Sequence, residues 1–231
     1  MKNMLLLSAN KSIITTQVKE QVILMDRYLA PAGVGEAELI EKRSKFISRV
    51  VPVTDESAAR AEIAQVKSKH HDANHNCWCY ILRDGPERYS DDGEPQGTAG
   101  LPMLEVFRRG GINNVCCVVT RYFGGILLGA GGLIRAYSEA AKMALQNAGI
   151  AEFLPYERLE IKCNYSLLSR IKAEIENVGG EIENVEYGEN VVLAILLQEG
   201  LADDLNKRLA DASAGSVAGI KRDLFFGKNL I

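Results

Sequence analysis

The chain is predicted to be an α+β protein of two domains. Strand-like and helix-like segments alternate from Tyr28 onward, a break at Phe153-Leu154-Pro155 interrupts them, and the elements beyond the break run β, α, β, β, α, β. At 231 residues with 47% hydrophobic side chains, the chain is long enough for two modest cores.

Residues 1–24 show no sustained periodicity and are read as a flexible N-terminal extension, or as the product of an upstream start codon. The first domain is expected over 25–153. Residues 38–53 read as a bent hairpin interrupted by the charged run EKRSK. In 55–69, Ala59, Ile63 and Val66 share one helical face behind Thr54 or Asp55 as N-cap. Residues 77–82 (CWCYIL) are strand-like, and the carboxylate-rich segment SDDGEPQGTAGLPM follows at 90–103. A short helix around 103–108 should end at Gly110-Gly111 in a left-handed cap. Val115, Val118 and Val119 mark a buried strand and 133–146 a long helix, with a glycine-rich loop between them.

The second domain is expected over 156–231. Its segments are strand 157–165, helix 167–178 stopped by Gly179-Gly180, strands 181–187 and 191–198 around Gly188-Glu189-Asn190, helix 201–212 and strand 217–226. That order is a ferredoxin-like βαββαβ unit. Its strand VVLAI at 191–195 lacks the aromatics of an RNA-recognition motif.

No segment approaches the roughly 20 apolar residues of a membrane span, and the N-terminal apolar patch is too short for a secretory signal, so a cytoplasmic protein without membrane contact is expected. Five cysteines with no CxxC pair read as reduced thiols. Basic and acidic side chains number 3 and 1 in residues 1–24, 15 and 15 in 25–150, and 9 and 14 in 151–231. A protein that binds nucleic acid mainly through phosphates usually carries a basic excess. Only local stripes are available here: Lys42, Arg43, Lys45 and Arg49, or Arg108, Arg109, Arg121 and Arg135.

The densest chemistry lies in 116–137, CCVVTRYFGGILLGAGGLIRAY. A buried strand, the glycines Gly124, Gly125, Gly129, Gly131 and Gly132, and then a helix form a geometry that presents backbone N–H groups to an anion. Arg121 could hold phosphate or carboxylate through its planar fork, or pair with Asp91, Asp92 or Glu94 and tie the two loops together. Tyr122 and Phe123 could stack on a base. Asp91, Asp92 and Glu94, with Thr98 nearby, could bind a cation or orient a water, or simply shape a turn. His71, His75 and Cys77 have metal-ligand chemistry, but a loop-and-strand role is the favoured reading and no metal or other cofactor is expected.

HDANHNCWCY at 71–80, SDDGEPQGTAGLPM at 90–103 and VVTRYFGGILLGAGGLIRAY at 118–137 resemble, in order and spacing, the signature segments of the IMPACT family, including its bacterial, YigZ-type members. The resemblance runs from about Tyr28 to the C-terminus. It implies a first domain like the second domain of the fifth small-subunit ribosomal protein, a βαβ sandwich. It also implies a second domain like the fifth domain of elongation factor G. Both analogies point to translation, at the level of fold alone. The expected function is therefore a non-enzymatic binding protein engaging RNA or the ribosome through Arg121, Arg135 and the glycine loop, with a possible role in translation regulation. Its acidic second domain would meet a protein partner. The alternative is an enzyme acting on a small molecule or phosphoester through the carboxylate and histidine loops.

Overall fold

In the computed structural model, residues 27–228 are described and fall into two compact units, Tyr28–Glu152 and a second unit running from Phe153. The extension expected at 1–24 lies outside the described residues. No described helix is long and apolar enough to cross a membrane.

The first unit begins with β1 (Tyr28–Pro31), β2 (Gly35–Glu41) and β3 (Ser44–Pro52). The β2–β3 turn is Lys42-Arg43, both at positive φ (45° and 66°), the geometry of a tight hairpin turn. Helix α1 (Glu56–Lys69) starts on Asp55, whose carboxylate accepts from Ala58 N, and buries Ala59, Ile63 and Val66. Next come β4 (His75–Ile81), the short β5 (Glu87–Ser90), α2 (Gly100–Arg109), β6 (Val115–Tyr122) and α3 (Ala130–Ala148). The sheet order is β2-β3-β6-β4-β5, antiparallel throughout.

Alternation along β4 and β6 divides the core in two. One face turns Cys77, Cys79, Ile81, Val115, Cys117 and Val119 toward α2 and α3; the other turns Tyr80, Cys116 and Val118 toward α1. All five cysteines are free and buried.

The structure adjusts two expectations in this unit, the start of a helix and the place of two glycines, and bears out the left-handed end expected at Gly110-Gly111. Helix α2 starts at Gly100, before the expected 103, because its N–H groups find a cap in Asp91, remote in sequence. Its left-handed residue is Gly111 (φ 64°), while Gly110 stays right-handed. Gly131 and Gly132 are not loop residues but lie in the first turn of α3, with Gly129 (φ 70°) at its N-cap.

The second unit comprises β7 (Ile150–Cys163, entering from the first unit), α4 (Leu168–Asn177), β8 (Glu181–Tyr187), β9 (Val191–Gln198), α5 (Ala202–Ser213) and β10 (Gly219–Lys228). β10 pairs with β7, β7 with β9 and β9 with β8, all antiparallel. The element order is the βαββαβ read from the sequence. Leu159, Ile161, Leu193 and Ile195 pack with Ile171, Ile175, Leu205 and Leu209 of the two helices.

Candidate functional site

Arg121 sits next to last on β6, on the sheet face turned toward α3. Its side chain is 6% exposed, and its guanidinium lies between the rings of Phe46 (5.5 Å) and Phe123 (5.4 Å). Nη1 donates to Glu94 Oε1 at 2.6 Å and Nη2 to Ser44 Oγ at 3.3 Å; Nε is buried with no partner. Glu94 is equally enclosed, at 3% exposure, and Oε1 also accepts from the Tyr137 hydroxyl at 2.8 Å. Cys77 Sγ is 3.4 Å from that hydroxyl. Burial raises the Cys77 thiol to about 12 and pushes the Tyr137 hydroxyl far above its usual range, so both keep their protons and donate.

Of the sequence alternatives for Arg121, the structure therefore shows pairing with Glu94 across the two loops. A buried pair of this kind is a costly fixture, tolerated only where each charge keeps its partner. Glu94 Oε2 is left without a hydrogen-bond partner among the described residues and stands 3.9 Å from His75 Nε2. His75 Nδ1 is 2.8 Å from the carbonyl oxygen of Asp92 and must carry the proton, which leaves the Nε2 lone pair free in the neutral ring.

These groups floor a cleft of about 380 Å³, walled by Phe123, Leu127, Leu128 and Leu133 and by the start of α3 at Gly129 and Ala130. No side chain caps α3, so its first N–H groups remain available. Phe123 is 44% and Leu127 83% exposed at the mouth. Gly124 is held against the β2–β3 turn, where an added Cβ would lie 2.1 Å from the carbonyl carbon of Arg43. That contact sets the exposed Lys42 and Arg43 beside the glycine loop. Arg135, also exposed, reaches back toward Gly131.

The other expected site residues are placed elsewhere or committed to structure. Tyr122 faces the opposite side of the sheet from Arg121, and its hydroxyl donates to Asp72 Oδ1 at 2.9 Å. The Asp91 carboxylate accepts from the backbone N–H groups of Gly97, Ala99 and Gly100. Asp92 accepts from Lys67 Nζ and Asn76 N. Thr98 donates to the Pro95 carbonyl at 2.6 Å. His71 is exposed and bonded to Ser68 O, and no cluster of three potential metal-ligating side chains occurs among the described residues. Sequence reasoning missed Tyr137, Ser44 and Asn74. Asn74, whose Oδ1 accepts from Phe123 N at 2.8 Å, carried a signal only in its place beside His75.

Fold and cleft together define a two-domain α+β protein whose first domain carries a cleft floored by buried polar groups. Residues 42–145 match the model of the Impact N-terminal domain, and 161–216 match that of a domain of unknown function (DUF1949). The IMPACT family member YvyE of Bacillus subtilis is 34% identical over 194 residues, 83% of this chain and 89% of that protein. The IMPACT family member YigZ of Escherichia coli is 35% identical over 197 residues, 84% and 97% of the two chains. A crystal structure of a hypothetical protein superposes with a TM-score of 0.57 at 33% identity, over 85% of this chain and 98% of its own. The chain belongs to the IMPACT family.

Proposed function

We propose that this chain is a cytoplasmic protein that binds single-stranded RNA, free or on the ribosome, and so acts in translation regulation. One base seats in the cleft over Glu94 and His75. The observation that carries this reading is the make-up of the cleft: an exposed aromatic lip, Phe123, above unsatisfied hydrogen-bonding atoms, flanked by an uncapped helix start and by Lys42, Arg43 and Arg135. Stacking on an aromatic side chain with hydrogen bonds to the base edge is how proteins read unpaired RNA. The phosphates would run past the α3 start and the basic rim. Arg121 is not a phosphate contact in this reading, since Glu94 already neutralises it; it holds the cleft floor in place. Glu94 Oε2 accepts and does not donate, which favours a base edge with adjacent donors, as guanine presents in its N1–H and N2–H2 groups.

The ribosomal-protein and elongation-factor folds that the family resemblance implies for the two domains would fit a translation setting, at the level of fold alone. The second domain, with β8 carrying Glu181, Glu183 and Glu186 in exposed positions, is assigned to a protein partner.

The test is an anisotropy titration of labelled single-stranded RNA with the wild type and with Phe123→Ala. Loss of one stacking platform should weaken binding about tenfold or more. Identical affinities, or no binding by the wild type at low salt, would overturn the proposal.

A further inference from the structure

The face of the first domain's sheet opposite the cleft carries a second recess. Alternation along β4 puts Trp78 and Tyr80 on this side, and α1 covers only part of it. The recess of about 320 Å³ is lined by Trp78, Tyr80, Arg88 and, from α1, Arg60, Ile63, Ala64 and Lys67. Trp78 and Tyr80 lie with ring planes 6° apart and centroids 5.8 Å apart, so the two rings are stacked with an offset and hold each other in place. Trp78 is the chain's single tryptophan and is only partly buried, although its neighbour Tyr80 is 2% exposed. Arg88, on β5, pairs in register with Tyr80 and so stands beside the stacked pair.

Three cations and no carboxylate line this recess. Arg60 is shared with Glu56, and Lys67 with Asp92. Arg88 makes no ion pair among the described residues; its Nη1 donates only to the Glu87 carbonyl. Glu56 is further occupied by the Tyr80 hydroxyl. The recess therefore keeps a positive excess next to an aromatic plane, and its size is at the small end of ligand sites. The partly exposed ring of Trp78 can take another aromatic ring by stacking, and a planar guanidinium beside it takes a phosphate by bidentate hydrogen bonds.

We infer that this recess is a nucleoside monophosphate site, with the base against Trp78 and the phosphate on Arg88, separate from the cleft around Glu94.

Because Trp78 is the chain's single tryptophan, its fluorescence reports on the recess directly. The full-length protein is titrated with AMP, with adenosine, with inorganic phosphate and with a short single-stranded RNA, excited at the red edge of tryptophan absorption where AMP is transparent. Saturable quenching by AMP in the millimolar range or tighter is expected, with adenosine weaker by about tenfold and phosphate alone giving no quenching. Arg88→Glu, an exposed change, should weaken AMP by a similar factor, and Phe123→Ala should leave AMP binding unaltered. No saturable quenching by AMP would overturn the inference, as would equal response to AMP and adenosine that Arg88→Glu leaves unchanged. Quenching by RNA but not by AMP would also overturn it, and would make this face a continuation of an RNA path. The RNA-binding reading of the cleft fails on a different result, the insensitivity of RNA affinity to Phe123→Ala.

Discussion

Replacing Arg121 with methionine keeps a flexible apolar stem between Phe46 and Phe123 but removes the cation from a site only 6% exposed. Glu94, at 3% exposure, then keeps one donor, the Tyr137 hydroxyl, and His75 at 3.9 Å. Removing one partner of a buried ion pair costs about 3–5 kcal/mol, because the other charge stays buried. For a domain of this size, at about 4 °C per kcal/mol, the melting midpoint should fall by roughly 12–20 °C. Glu94→Gln in the same chain removes the stranded charge and still accepts from Tyr137, so the double variant should recover about 2 kcal/mol relative to additivity. Trp78 lies in the first domain, so urea unfolding followed by its fluorescence isolates that domain. A loss under about 1 kcal/mol for Arg121→Met, or strict additivity in the double variant, would refute the assignment of this pair as the brace between the two loops.

Two further outcomes follow from the same geometry. Gly124→Ala should destabilise the first domain by about 1–3 kcal/mol in the same unfolding assay, since its Cβ would meet backbone atoms of Arg43 at 2.1 Å; Gly131→Ala, helical and with only Arg135 Nη1 at 3.7 Å, should instead be neutral or gain up to about 1 kcal/mol. Stability should fall in two steps on acidification. Burial holds the His70 pKa below its usual value, so the unfolded chain takes up that proton first and stability drops as pH falls below about 6.5. For Asp92, burial pulls upward, but hydrogen bonds from Lys67 and the Asn76 N–H outweigh it and depress the pKa. Its contribution is full above about pH 4 and lost as pH falls further, a step that Lys67→Met should shrink in a series of melting curves against pH.

Helix α1 was legible because its determinants are local: a cap at Asp55 and an apolar face repeating at Ala59, Ile63 and Val66. The βαββαβ order of the second domain was legible for the same reason, its turns being written in Gly179-Gly180 and Gly188-Glu189-Asn190. β5 was not, since ERYS is short, charged and at a sheet edge, where no alternation shows. The start of α2 was hidden because its cap, Asp91, comes from another part of the loop. The convergence of Arg121 with Glu94 was readable only as one alternative. Choosing it required knowing that β6 parity turns Arg121, and not Tyr122, toward α3. Ser44 carried no signal, and Tyr137, although it closes the signature segment 118–137, looks in sequence like an ordinary helix residue with no cue to its hydroxyl's partner.

The most direct measurement of the central claim is photo-crosslinking of a single-stranded RNA to the full-length protein, with the crosslinked peptides mapped. Attachment within 123–133, competed away by unlabelled RNA and reduced in Phe123→Ala, is the result we expect. Crosslinks confined to other segments, or none above background at low salt, would contradict the assignment of the cleft as an RNA site.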